Sequence, residues 1–112
     1  MYRGAITQGT EPNWGPLMGA VGERLIGDFM WMFEVELSSG TRLQAYKHID
    51  TRCYAHLANG AAAFAFERPD RYRRVEVADL FAAVFSALPG LAGVTDEQIV
   101  ASRAAVERLR SG

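Results

Sequence analysis

Between Phe29 and Leu37 the chain alternates: Phe29, Trp31, Phe33, Val35 and Leu37 on one parity, Met30, Met32, Glu34 and Glu36 on the other. Period two over nine residues is the pattern of a half-buried strand. Ser38-Ser39-Gly40 follows, and Gly40 suits the left-handed position of a three-residue hairpin loop. Such a loop sets Val35 against Leu43, Phe33 against Ala45 and Glu36 against Arg42, which sorts the apolar residues to one face and pairs opposite charges on the other.

A second hairpin is signalled by Asn59-Gly60. A two-residue turn there sets 58 against 61, Leu57 against Ala62, Ala55 against Phe64, Cys53 against Phe66 and Arg52 against Glu67. The connection between the hairpins, His48–Thr51, has no turn signature. Odd positions are apolar before it (Leu43, Ala45, Ile49) and after it (Cys53, Ala55, Leu57), so parity predicts an odd-length loop or one long bent strand.

The flanks read differently. Residues 1–15 hold Gly4, Gly9, Pro12 and Gly15 among polar residues and predict an irregular arm, with room for a short strand near Tyr2–Thr7. Pro16 suits a first helical position, and Leu17, Ala20, Val21 and Leu25 follow on one face, with Gly27 as the stop. Tyr72 to Val77 predicts a short strand, placed at an edge by its arginines. Val77, Leu80, Phe81, Val84, Phe85 and Leu88 form a helical stripe ending before Pro89-Gly90, and Thr95-Asp96-Glu97-Gln98 is a capping box that opens a last helix. The expected architecture is a single α+β domain over 1–112. It comprises the arm (1–15), a helix (16–27), an antiparallel four- to five-stranded meander sheet (29–77) and two C-terminal helices (78–110). At least one sheet face is helix-covered.

Composition narrows the classes of function. With 112 residues, 49% apolar and 22% charged, the chain has globular proportions; a net charge of −1 gives no general attraction to nucleic acid or anionic membrane. Cys53 stands alone, so no intramolecular disulfide forms, which fits a reducing cytoplasm. The N-terminus carries no apolar run of signal-peptide length, and Phe29–Leu37 is too short to span a bilayer, so the expectation is a soluble cytoplasmic protein with no membrane partner.

If parity runs unbroken, one sheet face carries Phe29, Trp31, Phe33, Val35, Leu43, Ala45, Ile49, Cys53, Leu57, Phe64 and Phe66. The other carries Met30, Met32, Glu34, Gln44, Tyr46, His48, Asp50, Arg52, Tyr54, His56, Ala63 and Ala65. A merely solvated face would not hold two tyrosines, both histidines and two methionines; such residues are enriched where a partner or ligand covers a surface. A helix of the same chain, a second copy forming a homodimer, or a small ligand would each cover it. The sequence therefore points to a non-catalytic ligand- or protein-binding or oligomerisation module acting through Met32, Tyr46, His48, Arg52, Tyr54 and His56. The alternative is a small enzyme using His48 with Asp50 as an acid–base pair. A third reading is nucleic-acid binding through Arg68, Arg71, Arg73 and Arg74 around Tyr72, with a charge-guarded edge strand the preferred account of that cluster. No P-loop, Gly-x-Ser-x-Gly or dinucleotide fingerprint is present, so no cofactor is expected, and His48, His56 and Asp50 as divalent-metal ligands are too unspecific a signal for a metal to be expected.

Overall fold

In the computed structural model, which describes residues 1–60 and 62–112, the strands are β1 (Tyr2–Ile6), β2 (Phe29–Leu37), β3 (Arg42–His48), β4 (Tyr54–Leu57), β5 (Ala63–Glu67) and β6 (Arg71–Val75). The expected open meander of four to five strands is instead a closed antiparallel barrel of six strands among the described residues, in the order β1-β2-β3-β4-β5-β6. Closure comes from the segment read as an arm. Strand β1 pairs with β2 through Ile6↔Val35 and with β6 through Tyr2↔Tyr72. Its signal is hidden because the inward position at its centre is Gly4. A Cβ there would stand 2.8 Å from both the Tyr72 ring and a Val35 methyl, so the seam needs a residue without a side chain. Strand β6 is consequently paired on both sides rather than at an edge, and two of its three arginines are ion-paired, Arg73 with Glu67 at 2.7 Å and Arg71 with Asp70 at 3.5 Å, while Arg74 lies over the Phe64 ring at 5.8 Å.

The β2–β3 hairpin has the register its turn chemistry predicts, with Val35↔Leu43, Phe33↔Ala45 and Glu36↔Arg42. Three features then break the parity on which the two-face expectation rests. Trp31 pairs with Tyr46 while Phe33 pairs with Ala45, so Met32 is the extra residue of a β-bulge and the side chains before it change face. His48 donates its N–H to the Cys53 carbonyl at 2.9 Å, leaving an even connection of residues 49–52 in place of an odd one. In the next hairpin Leu57 pairs with Ala63 and His56 with Phe64, one residue away from the expected register; the expected pairing of 58 with 61 falls on Ala61, outside the described residues.

The barrel therefore has two buried sides. Its interior holds Val35, Leu37, Leu43, Ala58, Phe64 and Tyr72. Its outer wall carries Phe29, Tyr46, Ala55, Leu57 and Ala63 against Leu17, Val21, Phe81, Val84, Phe85 and Leu88. These last residues come from helices α1 (Gly15–Val21) and α3 (Val77–Phe85) and the 3₁₀ turn Leu88–Gly90; α2 (Glu23–Ile26) and α4 (Asp96–Ser111) complete the layer. Each large side chain so buried contributes on the order of 1.5–3 kcal/mol. The helix expected over 16–27 is interrupted at Gly22, whose φ of 86° ends α1. The capping box forms, with the Thr95 hydroxyl accepting from the Gln98 amide at 3.1 Å. No helix among the described residues is long and apolar enough to cross a membrane.

Gly19 lies inside α1, and apart from its chain neighbours and the helix's own backbone no described atom stands within 4 Å of where its Cβ would be. Gly19→Ala is expected to raise stability by about 0.5–1 kcal/mol through the lower entropy of the unfolded chain, read as a shifted urea midpoint at unchanged slope.

Candidate functional site

The register shifts bring together residues that unbroken parity places on opposite faces. Tyr54 and His56 of β4 project on the same side as Phe33 of β2, Phe64 and Phe66 of β5 and Tyr72 of β6. Together they line a cleft of about 690 Å³ at one end of the barrel, with Gly4, Ile6, Pro69 and Asp70 also in the lining. This is the size range of small-molecule sites. His56 is the hub. Its ring lies 6.0 Å from that of Tyr54 at an interplanar angle of 18°, 6.3 Å from Phe33 and from Phe66, and 5.2 Å from Tyr72. Phe66 and Tyr72 meet at 5.3 Å. Ala45, opposite both Phe33 and His56 in the ladders, leaves the space into which these rings converge.

The rings differ in exposure. Ile6 (55%), Phe66 (46%) and Tyr54 (38%) stand open at the rim, whereas His56 (5%) and Tyr72 (4%) are buried. Burial pushes the His56 imidazole down to about 4, so it is neutral at pH 7. Burial, and secondarily the charge of Asp70, raises the Tyr72 hydroxyl above its ordinary value. His56 makes no side-chain hydrogen bond to the described residues, and it is part of the cleft lining.

The other residues singled out from sequence lie elsewhere. Tyr46 and His48 project to the outer wall, beneath the helices. Tyr46 is fully buried and donates its hydroxyl to the Asn13 carbonyl at 2.6 Å, holding the chain that enters α1. His48 Nδ1 accepts from the backbone amides of Asp50 (3.1 Å) and Thr51 (3.2 Å), which places the ring proton on Nε2. That Nε2 is buried without a hydrogen-bond partner among the described residues, and the His48 ring centre lies 4.9 and 5.7 Å from those of Phe29 and Phe85. Burial lowers the His48 pKa, against the opposing charges of Asp50 and Asp28. The Asp50 carboxylate accepts instead from Gln98 Nε2 at 2.8 Å, which docks the start of α4 on the turn. His48 and Asp50 thus meet through the Asp50 backbone and not as an imidazole–carboxylate pair. His48 organises the β3–β4 connection, which explains a turn without turn residues.

Met32 is half-buried at the bulge, and Arg52 is exposed in the turn with φ 67°. Neither lines the cleft. Glu34 is held on the outer wall by Gln44, Thr7 and Arg42 (2.9, 3.0 and 2.9 Å); the Gln44 hydrogen bond foremost keeps its carboxyl below the ordinary range. Phe33, Phe66 and Tyr72 are cleft residues that sequence reasoning assigned to the core or to an edge strand. A register error of one residue hides them, and no composition signal substitutes for it.

Comparison with protein families, with curated proteins and with solved structures finds no match to this chain.

Proposed function

We propose that the protein is a non-catalytic binding module that takes a small, largely apolar molecule into the open end of its barrel. The observation that carries this reading is the ring-walled cleft of about 690 Å³ around His56. Flat ring faces offer large contact area at little rotamer cost, and a few polar groups at depth fix orientation. Exposed Tyr54, Phe66 and Ile6 at the rim are apolar surface that folding alone does not require. Of the six residues of the sequence-derived surface, Tyr54 and His56 support this role. Tyr46 and His48 have structural duties under the helices.

Titration with Nile red, an uncharged ring dye whose emission rises in apolar surroundings, should give saturable enhancement. Tyr54→Ala combined with Phe66→Ala should weaken it by about tenfold or more while the far-UV spectrum is kept, because both side chains are already partly exposed. Unchanged titration in a folded double variant would remove the cleft from consideration.

A further inference from the structure

The geometry points to a ligand whose buried part is a flat, uncharged ring bearing one hydrogen-bonding group that reaches His56, an inference that rests on the cleft being the binding site. Three observations carry it. First, the cleft is walled by ring faces from four strands: Phe33, Tyr54, Phe64, Phe66 and Tyr72, with His56 at their meeting point. Stacked and edge-on ring contacts favour a planar guest over a branched aliphatic one.

Second, nothing in the lining would hold a charge. Asp70 is the one formally charged lining residue among those described, and its carboxylate already faces Arg3 at 3.4 Å and Arg71 at 3.5 Å. Two cations lie over lining rings, Lys47 over Tyr54 at 5.6 Å and Arg74 over Phe64 at 5.8 Å, and neither is part of the lining. An ion carried inside would lose its hydration without gaining a counter-ion.

Third, the imidazole of His56 is buried and has no hydrogen-bond partner among the described residues. In contrast to His48 Nε2, neither of its nitrogens is sealed away from space. A neutral imidazole presents one donor and one acceptor. A guest hydroxyl or ring N–H satisfies it, whereas a pure hydrocarbon leaves it unmatched. Sites built this way discriminate strongly against the analogue that lacks the polar group.

The test uses four probes of one shape, naphthalene, 2-naphthol, 2-naphthoate and 2-naphthylmethylammonium, each titrated calorimetrically into the full chain at pH 7.5. The expected order puts 2-naphthol first, about tenfold or more tighter than naphthalene, with both charged probes weakest. His56→Phe should erase the advantage of 2-naphthol while naphthalene still binds. If that variant does not fold, the order of the four probes on the unaltered chain decides alone. Equal affinity for naphthalene and 2-naphthol, or a charged probe binding best, overturns the inference and leaves the cleft standing as a binding site. Binding by none of the four overturns both.

Discussion

Gly4→Val is expected to destabilise the protein by about 3 kcal/mol, the upper range for forcing extra methyl groups into a packed interior. The Cβ alone meets the Tyr72 ring and a Val35 methyl at 2.8 Å and a Leu37 methyl at 3.0 Å, and all three side chains are nearly or wholly buried. Tyr72 cannot swing aside, because His56 and Phe66 pack against its ring at 5.2 and 5.3 Å. The strain therefore falls on the pairing of β1 with β2 and β6, the seam that closes the barrel. Urea denaturation measures the loss. A milder pair isolates its cause: Gly4→Ala and Val35→Ala each destabilise, but together they cost less than their sum by about 1 kcal/mol, since the second makes room for the first. Strict additivity, or a loss under about 0.5 kcal/mol for Gly4→Val, would mean that β1 does not close against Val35 and Tyr72 as described.

What the sequence reveals of this fold is what local chemistry decides. The β2–β3 register follows from Gly40 at a positive φ and from alternation on both strands, and the Thr95 cap follows from its own four residues. What stays hidden is decided by contacts between distant segments or by a side chain acting on backbone. The strand at Tyr2–Ile6 has a glycine where an inward-facing apolar residue would betray it. The β3–β4 turn is built by the His48 ring accepting two amides, an arrangement no turn-residue rule anticipates. The Met32 bulge leaves alternation intact in the sequence while reversing faces in space.

The same physics explains the partial legibility of the site. Tyr54 and His56 stand two apart on one strand, so their common face survives any register. Tyr46 and His48 join them only if parity crosses residues 49–52 unbroken, and the even length of that connection sends them to the opposite wall. Phe33 and Phe66 read as core from their chemistry alone, and Tyr72 as part of an arginine-guarded edge strand. The shape of a closed barrel makes some interior residues the lining of an open mouth.

Between pH 6.5 and 4 the folded protein is expected to lose about 3 kcal/mol of stability that traces to His56. The sign follows from the direction of the shift. His56 has an ordinary pKa of 6.5 when unfolded and about 4 when folded, so in this window the unfolded chain binds a proton that the folded chain refuses. The contribution is fully present above pH 6.5, falls as pH drops, and levels off below 4. Burial is the cause: the groups packed on the ring are Phe33, Tyr54, Phe66 and Tyr72, none of them a charge at these pH values. Asp70, the carboxylate of the same cleft, is turned to Arg3 and Arg71. His48, also lowered by burial, adds a slope of the same sign, whereas Glu34, held below its ordinary 4.5, acts only at the acid end. A His56→Leu variant separates these. Its stability, measured by urea denaturation at half-unit steps, should fall less steeply than that of the unaltered chain from pH 6.5 to 4, the two curves converging or crossing by about 3 kcal/mol over the window. The ring C–H resonances of His56 give the folded value directly. Parallel curves, together with a midpoint near 6.5, would mean that the imidazole is hydrated like a surface group and that the rings packed on it do not bury it in solution.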